Sequence, residues 1–234
     1  MKADLDRLMA ARGLQAIVVA GDELYSAERD YLGNGARVTG GLVIKVRGSA
    51  PVMIVNPMEI EEARSSGLQA FSWQELGWAQ LLQQADGERE RAQAALWQRA
   101  LQRLEVPPGR VGVYGNVVAS GFIELLPELQ ALEGYEFCGE RGLTLFDEAA
   151  MTRDEQELAR IRRVAAGTNA TLRATWDFIA GHRATGDVVS DAAGRPLTIG
   201  ALRRFVRRTL LDYDLEDTGM ILAQGRDAPG AVEV

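Results

Sequence analysis

LDRLMAARGLQAIVVAG, residues 5–21, opens as a helix and closes as a strand. Leu5, Leu8 and Met9 recur at helical spacing, Gly13 is placed to end the helix, and Gln15 to Ala20 read as a short buried strand. Working outward, Gly41 to Val46 and Val52 to Val55 are two further strands joined through Arg47-Gly48-Ser49. So short a connection predicts a hairpin, and hence a mixed sheet. Asn56 is an N-cap candidate, with Pro57 at the first helical position, Glu59 at the capping-box position and Gly67 as the stop. Gln69 to Trp73 read as a strand. Glu88 to Leu104 form the longest helix of this half, with Ala94, Trp97, Leu101 and Leu104 as its apolar stripe. Pro107-Pro108-Gly109 ends it. Val111 to Tyr114, a helix to about Leu129, and a short strand at Tyr135 to Cys138 complete an α/β pattern.

The character changes near Asp147. Thr152 and Glu155 suggest a second capping box opening a long helix, with Leu158, Ile161, Ala165, Thr168, Leu172 and Ile179 as its inward stripe. A Gly/Asp-rich loop is expected over about Gly186 to Pro196. Thr198 then opens an amphipathic helix with Leu202, Phe205, Val206 and Leu210 on one face, and Met220 to Gln224 read as a strand. Two helices and one strand are short of partners, so this part reads as an incomplete domain. The expected organisation is a domain over 1–147, a linker over 148–152 and the first part of a second domain over 153–234.

Composition narrows the chemistry. The 234 residues are 47% apolar and 25% charged, with a net charge of −7. That suits a folded core and disfavours a general nucleic-acid binder. The lone cysteine, Cys138, rules out an intrachain disulfide and reads as a small buried residue. The lone histidine, His182, rules out a multi-histidine zinc site within this sequence. It reads as a helix C-terminal residue interacting with exposed carbonyls. No signal peptide or run of about 18 apolar residues is present, so the expectation is a cytoplasmic protein with no membrane partner.

Three stretches together carry a resemblance: residues 5–21, then RDYLGNGARVTGGLVI (29–44) and PVMIVNPMEIEEA (51–63). They resemble the N-terminal domain of the creatinase/prolidase/aminopeptidase P family of metallopeptidases. Gly13, Leu14, Ala16, Tyr31, Leu32 and Gly33 carry the match, although the Ser/Thr usual before the glycine is missing. MTRDEQELARIRRVAAGTNA (151–170) is similar to that family's interdomain linker and first catalytic-domain helix, through Thr152, Glu155, Glu157, Leu158, Ile161, Arg162 and Ala165. LTIGALRRFVRR (197–208) resembles the next helix, with Ile199 in place of an acidic residue. MILAQGRDA (220–228) resembles the strand and turn before the family's first active-site histidine.

The resemblance implies an α/β fold: a mixed-sheet creatinase-like N-terminal domain, then the opening of a pita-bread α+β domain. For a full-length relative it implies a pair of divalent metal ions (manganese, cobalt or zinc) held by two aspartates, one histidine and two glutamates. A metal-bridged hydroxide would attack a peptide bond near proline. Creatinase-like and lyase-like chemistry share these motifs. None of the ligand positions maps here, because Pro229 is followed by Gly230 where a Pro-His step belongs, and the sequence stops at Val234. The chain itself is therefore expected to hold no catalytic or metal-ligating residue. A homodimer and a peptide substrate are implied partners. Tyr31 and Arg37, in the glycine-rich segment that the resemblance places toward the active-site region, are the substrate-binding or interface candidates. The alternative is a non-catalytic interaction module derived from the same fold.

Other motifs give blander readings. YLGNGARVTGG lacks the third glycine of a dinucleotide fingerprint. The acidic run Asp212, Asp214, Glu216 and Asp217 lacks the spacing of a calcium loop. Arg203, Arg204, Arg207 and Arg208 read as a solvated helix face. The four tryptophans read as core or interface residues.

Overall fold

The computed structural model describes residues 2–21, 26–186 and 188–223. The chain divides into two compact units, Met1–Thr152 and Arg153–Val234.

In the first unit, α1 (Leu5–Ala11) leads into β1 (Leu14–Gly21), and α2 (Ala27–Leu32) follows. The hairpin β2 (Gly41–Val46) and β3 (Val52–Val55), then α3 (Ile60–Ser65) and β4 (Gln69–Ser72), complete one half of the sheet. Next come α4 (Trp78–Gln84), α5 (Arg89–Arg103), β5 (Gly109–Asn116), α6 (Ala119–Gln130), β6 (Tyr135–Cys138) and α7 (Leu145–Ala149). The six strands lie in the order β4-β3-β2-β1-β5-β6. β1 pairs parallel with β5, β5 with β6 and β3 with β4, while β2 runs against both its neighbours.

Period-two alternation divides each strand between two cores. Val18, Ala20, Leu42, Ile44 and Ile54 meet α4, α5 and α6 on one face. Ile17, Val19, Val43, Met53 and Val55 meet α1, α2, α3 and α7 on the other. Burial on both faces explains why IVVA reads as a continuous apolar run.

Lys45 departs from that pattern. It is 5% exposed on β2, and its Nζ donates to Asp6 Oδ1 at 2.7 Å and to the Ser49 carbonyl at 2.8 Å. The Gly48 N–H also donates to Asp6, so one carboxylate ties α1 to the β2–β3 turn. Lys45→Ala is expected to lower stability by about 2 kcal/mol, and Lys45→Met, which keeps the packed stem, by about 1. Thermal unfolding of the two variants side by side checks this. Equal losses would show that the packed stem contributes nothing, and no loss in Lys45→Met would show that the charge contributes nothing.

The second unit has α8 (Glu155–Ala180), a small hairpin of β7 (Arg183–Thr185) and β8 (Val188–Ser190), and α9 (Ile199–Leu211). Its details correct several expectations. The capping box is Asp154 with Glu157, two residues later than expected, because the Thr152 hydroxyl is engaged with Asp4 Oδ2. The expected inward stripe of α8 is largely in solvent, with Ile161, Leu172 and Ile179 all exposed. The helix buries Gly167 and Thr171 instead, because a Cβ at Gly167 would sit 2.7 Å from Leu215 and 3.0 Å from Tyr213. The expected loop at 186–196 contains β8. Met220 to Ala223 form no strand, and Gln224, Pro229 and Gly230 lie outside the described residues. Thr198 caps α9 as expected, accepting from the Ala201 N–H.

Candidate functional site at the carboxyl edge of the sheet

β1, β3, β4, β5 and β6 all end at the same edge of the sheet. The chain leaves β1 toward β2, β3 and β4 on one side, then returns to place β5 and β6 on the other. The boundary between β1 and β5 is therefore a topological switch point, where open α/β sheets form their ligand crevices.

On the α2 face, Ser26 caps α2 by accepting from the Arg29 N–H at 3.3 Å. Arg29 is 1% exposed and donates Nη1 to the Gly21 carbonyl at 3.2 Å, which fixes the end of β1. Burial holds the neighbouring Asp30 carboxyl above its usual value, against the opposing pull of Arg29 and Arg37. Tyr31 is half-buried, its ring edge-on to Phe146 at 6.2 Å; Phe146 in turn meets Tyr114 edge-on at 5.0 Å. The Lys2 ammonium lies 5.5 Å from the Tyr31 ring centre.

Arg37 is exposed, and its backbone N–H donates to Glu62 Oε1 at 3.0 Å. Glu59 Oε1 accepts from both the N–H and the hydroxyl of Thr39. Glu59 thus pins this loop instead of closing a capping box with Asn56, whose side chain accepts from the Met58 N–H. The two candidates therefore occupy different settings: Tyr31 in an aromatic cluster, Arg37 on a braced surface loop.

Behind Tyr114, Arg12 bridges Glu140 and Glu148, and the Tyr114 hydroxyl donates to Glu140 Oε2 at 2.7 Å. Burial and Glu140 hold that hydroxyl far above the usual tyrosine range. It is a fixed donor, not a proton source.

On the opposite face the same edge opens into a cleft of about 170 Å³. Ala20 and Gly21 of β1 line it with Gly41 and Leu42 of β2, and α4, α5 and α6 close its sides. Trp97 is buried in its lining, and the half-buried Trp73 and Trp78 stand 6.5 Å apart, centre to centre. Sequence reading missed this cleft, because its residues come from six separate segments.

The remaining candidates are structural. His182 places Nδ1 2.7 Å from the Phe178 carbonyl oxygen and its ring edge-on to Phe178. Cys138 is half-buried, not fully buried as expected, since β6 is an edge strand; burial pushes its thiol up. Asp217 pairs with Arg207 at 3.0 Å and accepts from the Gly219 and Met220 N–H groups. Among the described residues no three His, Cys, Asp or Glu side chains gather as a metal site. The donor set of the described residues does not fit a divalent metal pair. No helix among the described residues is long and apolar enough to cross a membrane.

No protein-family model and no curated protein sequence matches the chain. Solved structures do. The chain is similar to an X-Pro aminopeptidase from Thermotoga maritima MSB8 at a TM-score of 0.56 and 12% identity, over 91% of this chain and 49% of that one. A prolidase from Pyrococcus furiosus matches at a TM-score of 0.55 and 11% identity, over 91% of this chain and 53% of that one. A prolidase from Pyrococcus horikoshii OT3 matches at 0.56 and 12%, over 90% and 48%. The chain spans about half the length of these structures. The likeness shows the fold: a creatinase-like N-terminal α/β unit and the start of a pita-bread unit.

Proposed function

We propose that this chain is the amino-terminal half of a metallopeptidase of the Xaa-Pro aminopeptidase or dipeptidase kind, acting on peptides near proline in the cytoplasm as a homodimer. The observation that supports it is that one structural likeness runs through both units, over 91% of this chain but only 49% of the X-Pro aminopeptidase. On this reading the metal pair and its ligands belong to the half not included in this sequence. The first unit shapes the substrate's surroundings, with Tyr31 and Arg37 toward substrate or the partner subunit.

The test is metal content and Xaa-Pro peptide hydrolysis, measured on this chain and on one extended through the downstream reading frame. After loading with manganese, cobalt or zinc, the 234-residue chain is expected to retain no stoichiometric metal and to show no turnover. The extended chain is expected to gain both. Turnover by the short chain, or an extended chain that binds no metal, would overturn the proposal.

A second reading, an interaction module without catalysis, is favoured by one feature. Val164, Leu172 and Trp176 stand exposed along α8, Trp176 at 77%. Large apolar side chains exposed along one helix suit a face that another surface covers. An extended chain without ligands or turnover that captures a protein partner through this helix would support the module.

A further inference from the structure

The turn that ends α2 holds the one Asn-Gly step of the sequence, Asn34-Gly35. Gly33 caps the helix, Asn34 follows in the left-handed region at φ of +58°, and the Gly35 N–H donates back to the Asp30 carbonyl at 2.9 Å. This is the outer bond of a Schellman closure, with asparagine at the position that glycine usually takes. The Asn34 side chain braces the turn. Its Nδ2 donates to the Ser66 carbonyl at 3.0 Å, just past the end of α3, and its Oδ1 accepts from the Lys2 ammonium. Asn34 and Gly35 are nonetheless exposed, and nothing lies within 4 Å of where a Gly35 Cβ would be.

A following glycine makes an asparagine reactive toward its own backbone, because no side chain shields the next nitrogen. The other three asparagines are poorly placed for this. Asn56 precedes Pro57, whose nitrogen carries no proton. Asn116 precedes β-branched Val117, and Asn169 lies inside α8, where the helix holds the backbone. We infer that Asn34 is a self-modification site, at which the Gly35 nitrogen attacks the Asn34 side-chain amide, and that closure of the α2 turn sets the rate. The bond from the Gly35 nitrogen to Asn34 Cγ forms and the Cγ–Nδ2 bond breaks. The Gly35 proton leaves with the amine as ammonia, and a cyclic imide remains. Water then opens the imide at either carbonyl, giving aspartate or isoaspartate.

In the closed turn the attacking nitrogen is engaged with Asp30 and the amide with Ser66, so reaction waits on opening. α2 has six residues, short enough to fray at this end. Either product puts an acceptor where Nδ2 donated to the Ser66 carbonyl, so the brace to α3 is lost. Isoaspartate also lengthens the main chain by one atom, which carries the Gly35 N–H out of register with Asp30. Conversion therefore loosens the segment that leads to Arg37.

The test incubates the 234-residue chain in mildly alkaline buffer, folded and in guanidinium chloride, and maps by mass spectrometry where the amide has been replaced by a carboxyl. Asn34 is expected to convert ahead of the other asparagines in both states, and on the order of tenfold more slowly in the folded chain. Chains carrying isoaspartate are expected to lose hydrogen-exchange protection at the Gly35 N–H. Asn34→Gln, which would have to close a larger ring, is expected to abolish the mass gain at this position. Equal rates in the two states overturn the gate. Conversion of Asn116 or Asn169 ahead of Asn34, or none at Asn34 in the folded chain after about a hundred half-times of the unfolded one, overturns the site. Unchanged Gly35 protection in chains carrying isoaspartate overturns the loosening of the turn.

Discussion

Gly115→Ala is expected to remove a large share of the stability of the first unit. Gly115 stands opposite Ala20 in the β1–β5 register, with φ of +105°, and a Cβ there would lie 2.0 Å from the Ala20 carbonyl oxygen. That oxygen belongs to the central strand and has no flexible side chain behind it to give way. The left-handed backbone costs about 1–3 kcal/mol for a residue with a Cβ. Forcing the strands apart adds about 1–3 more. A loss of about 4 kcal/mol is a large share of the roughly 5–15 that hold a domain together. Gly41 repeats the arrangement on β2, with φ of +114° and the Ile54 oxygen 2.2 Å from its absent Cβ. Both glycines let strands approach closely beside the cleft. Gly121→Ala is the control, because nothing lies within 4 Å of its Cβ position on α6. It is expected to be neutral or to stabilise by up to about 1 kcal/mol. Urea unfolding followed by near-ultraviolet circular dichroism separates the three. An unchanged midpoint for Gly115→Ala would mean that the strands can separate at no cost.

How far the fold could be read from sequence depended on whether local or distant residues fix each element. β2, β3 and β6 appear at the expected residues because β-branched and aromatic runs bounded by turn residues carry their own signal. α2 and α7 have six and five residues, too few to hold a helix without tertiary support, and neither was anticipated. The capping box expected at the start of α8 is Thr152 with Glu155, and the one formed is Asp154 with Glu157. Asp4, 148 residues away from Thr152, makes the difference by accepting from the Thr152 hydroxyl. On α8 the apolar spacing was legible, but the buried face is the one where Gly167 leaves room for Tyr213 and Leu215. The run at Met220 to Ala223 is apolar enough for a strand, yet it has no strand partner among the described residues, and Ile221 is 87% exposed. The cleft was least legible of all. In sequence Trp73, Trp78 and Trp97 carry only the signal of core or interface residues, and only the order of strands and helices brings them to one opening.

The second large effect is expected at Arg12, and it depends on pH. Arg12 joins the end of α1 to Glu140 and Glu148, with side chains 18%, 22% and 34% exposed. Arg12→Met keeps most of the stem but leaves two half-buried carboxylates facing each other without their cation. Breaking a fully buried pair costs about 3–5 kcal/mol, and partial exposure here reduces the expected loss to about 2 at neutral pH. Burial pushes the Glu140 carboxyl up, but the Leu145 N–H, Arg12 and Tyr114 together pull it further down, to a net value below its ordinary 4.5. A carboxyl depressed in the folded state stabilises fully above its unfolded value and loses that stabilisation as the pH falls through the folded one. The parent chain and Arg12→Met are therefore expected to differ most above pH 4.5 and to converge below it. Urea midpoints across that range provide the measurement. A gap that stays constant into acid would show that Arg12 acts by something other than its pairing with ionised Glu140 and Glu148. Convergence would place the charge of Arg12 among the forces that hold Tyr114 against Phe146, and with them the aromatic cluster that Tyr31 completes.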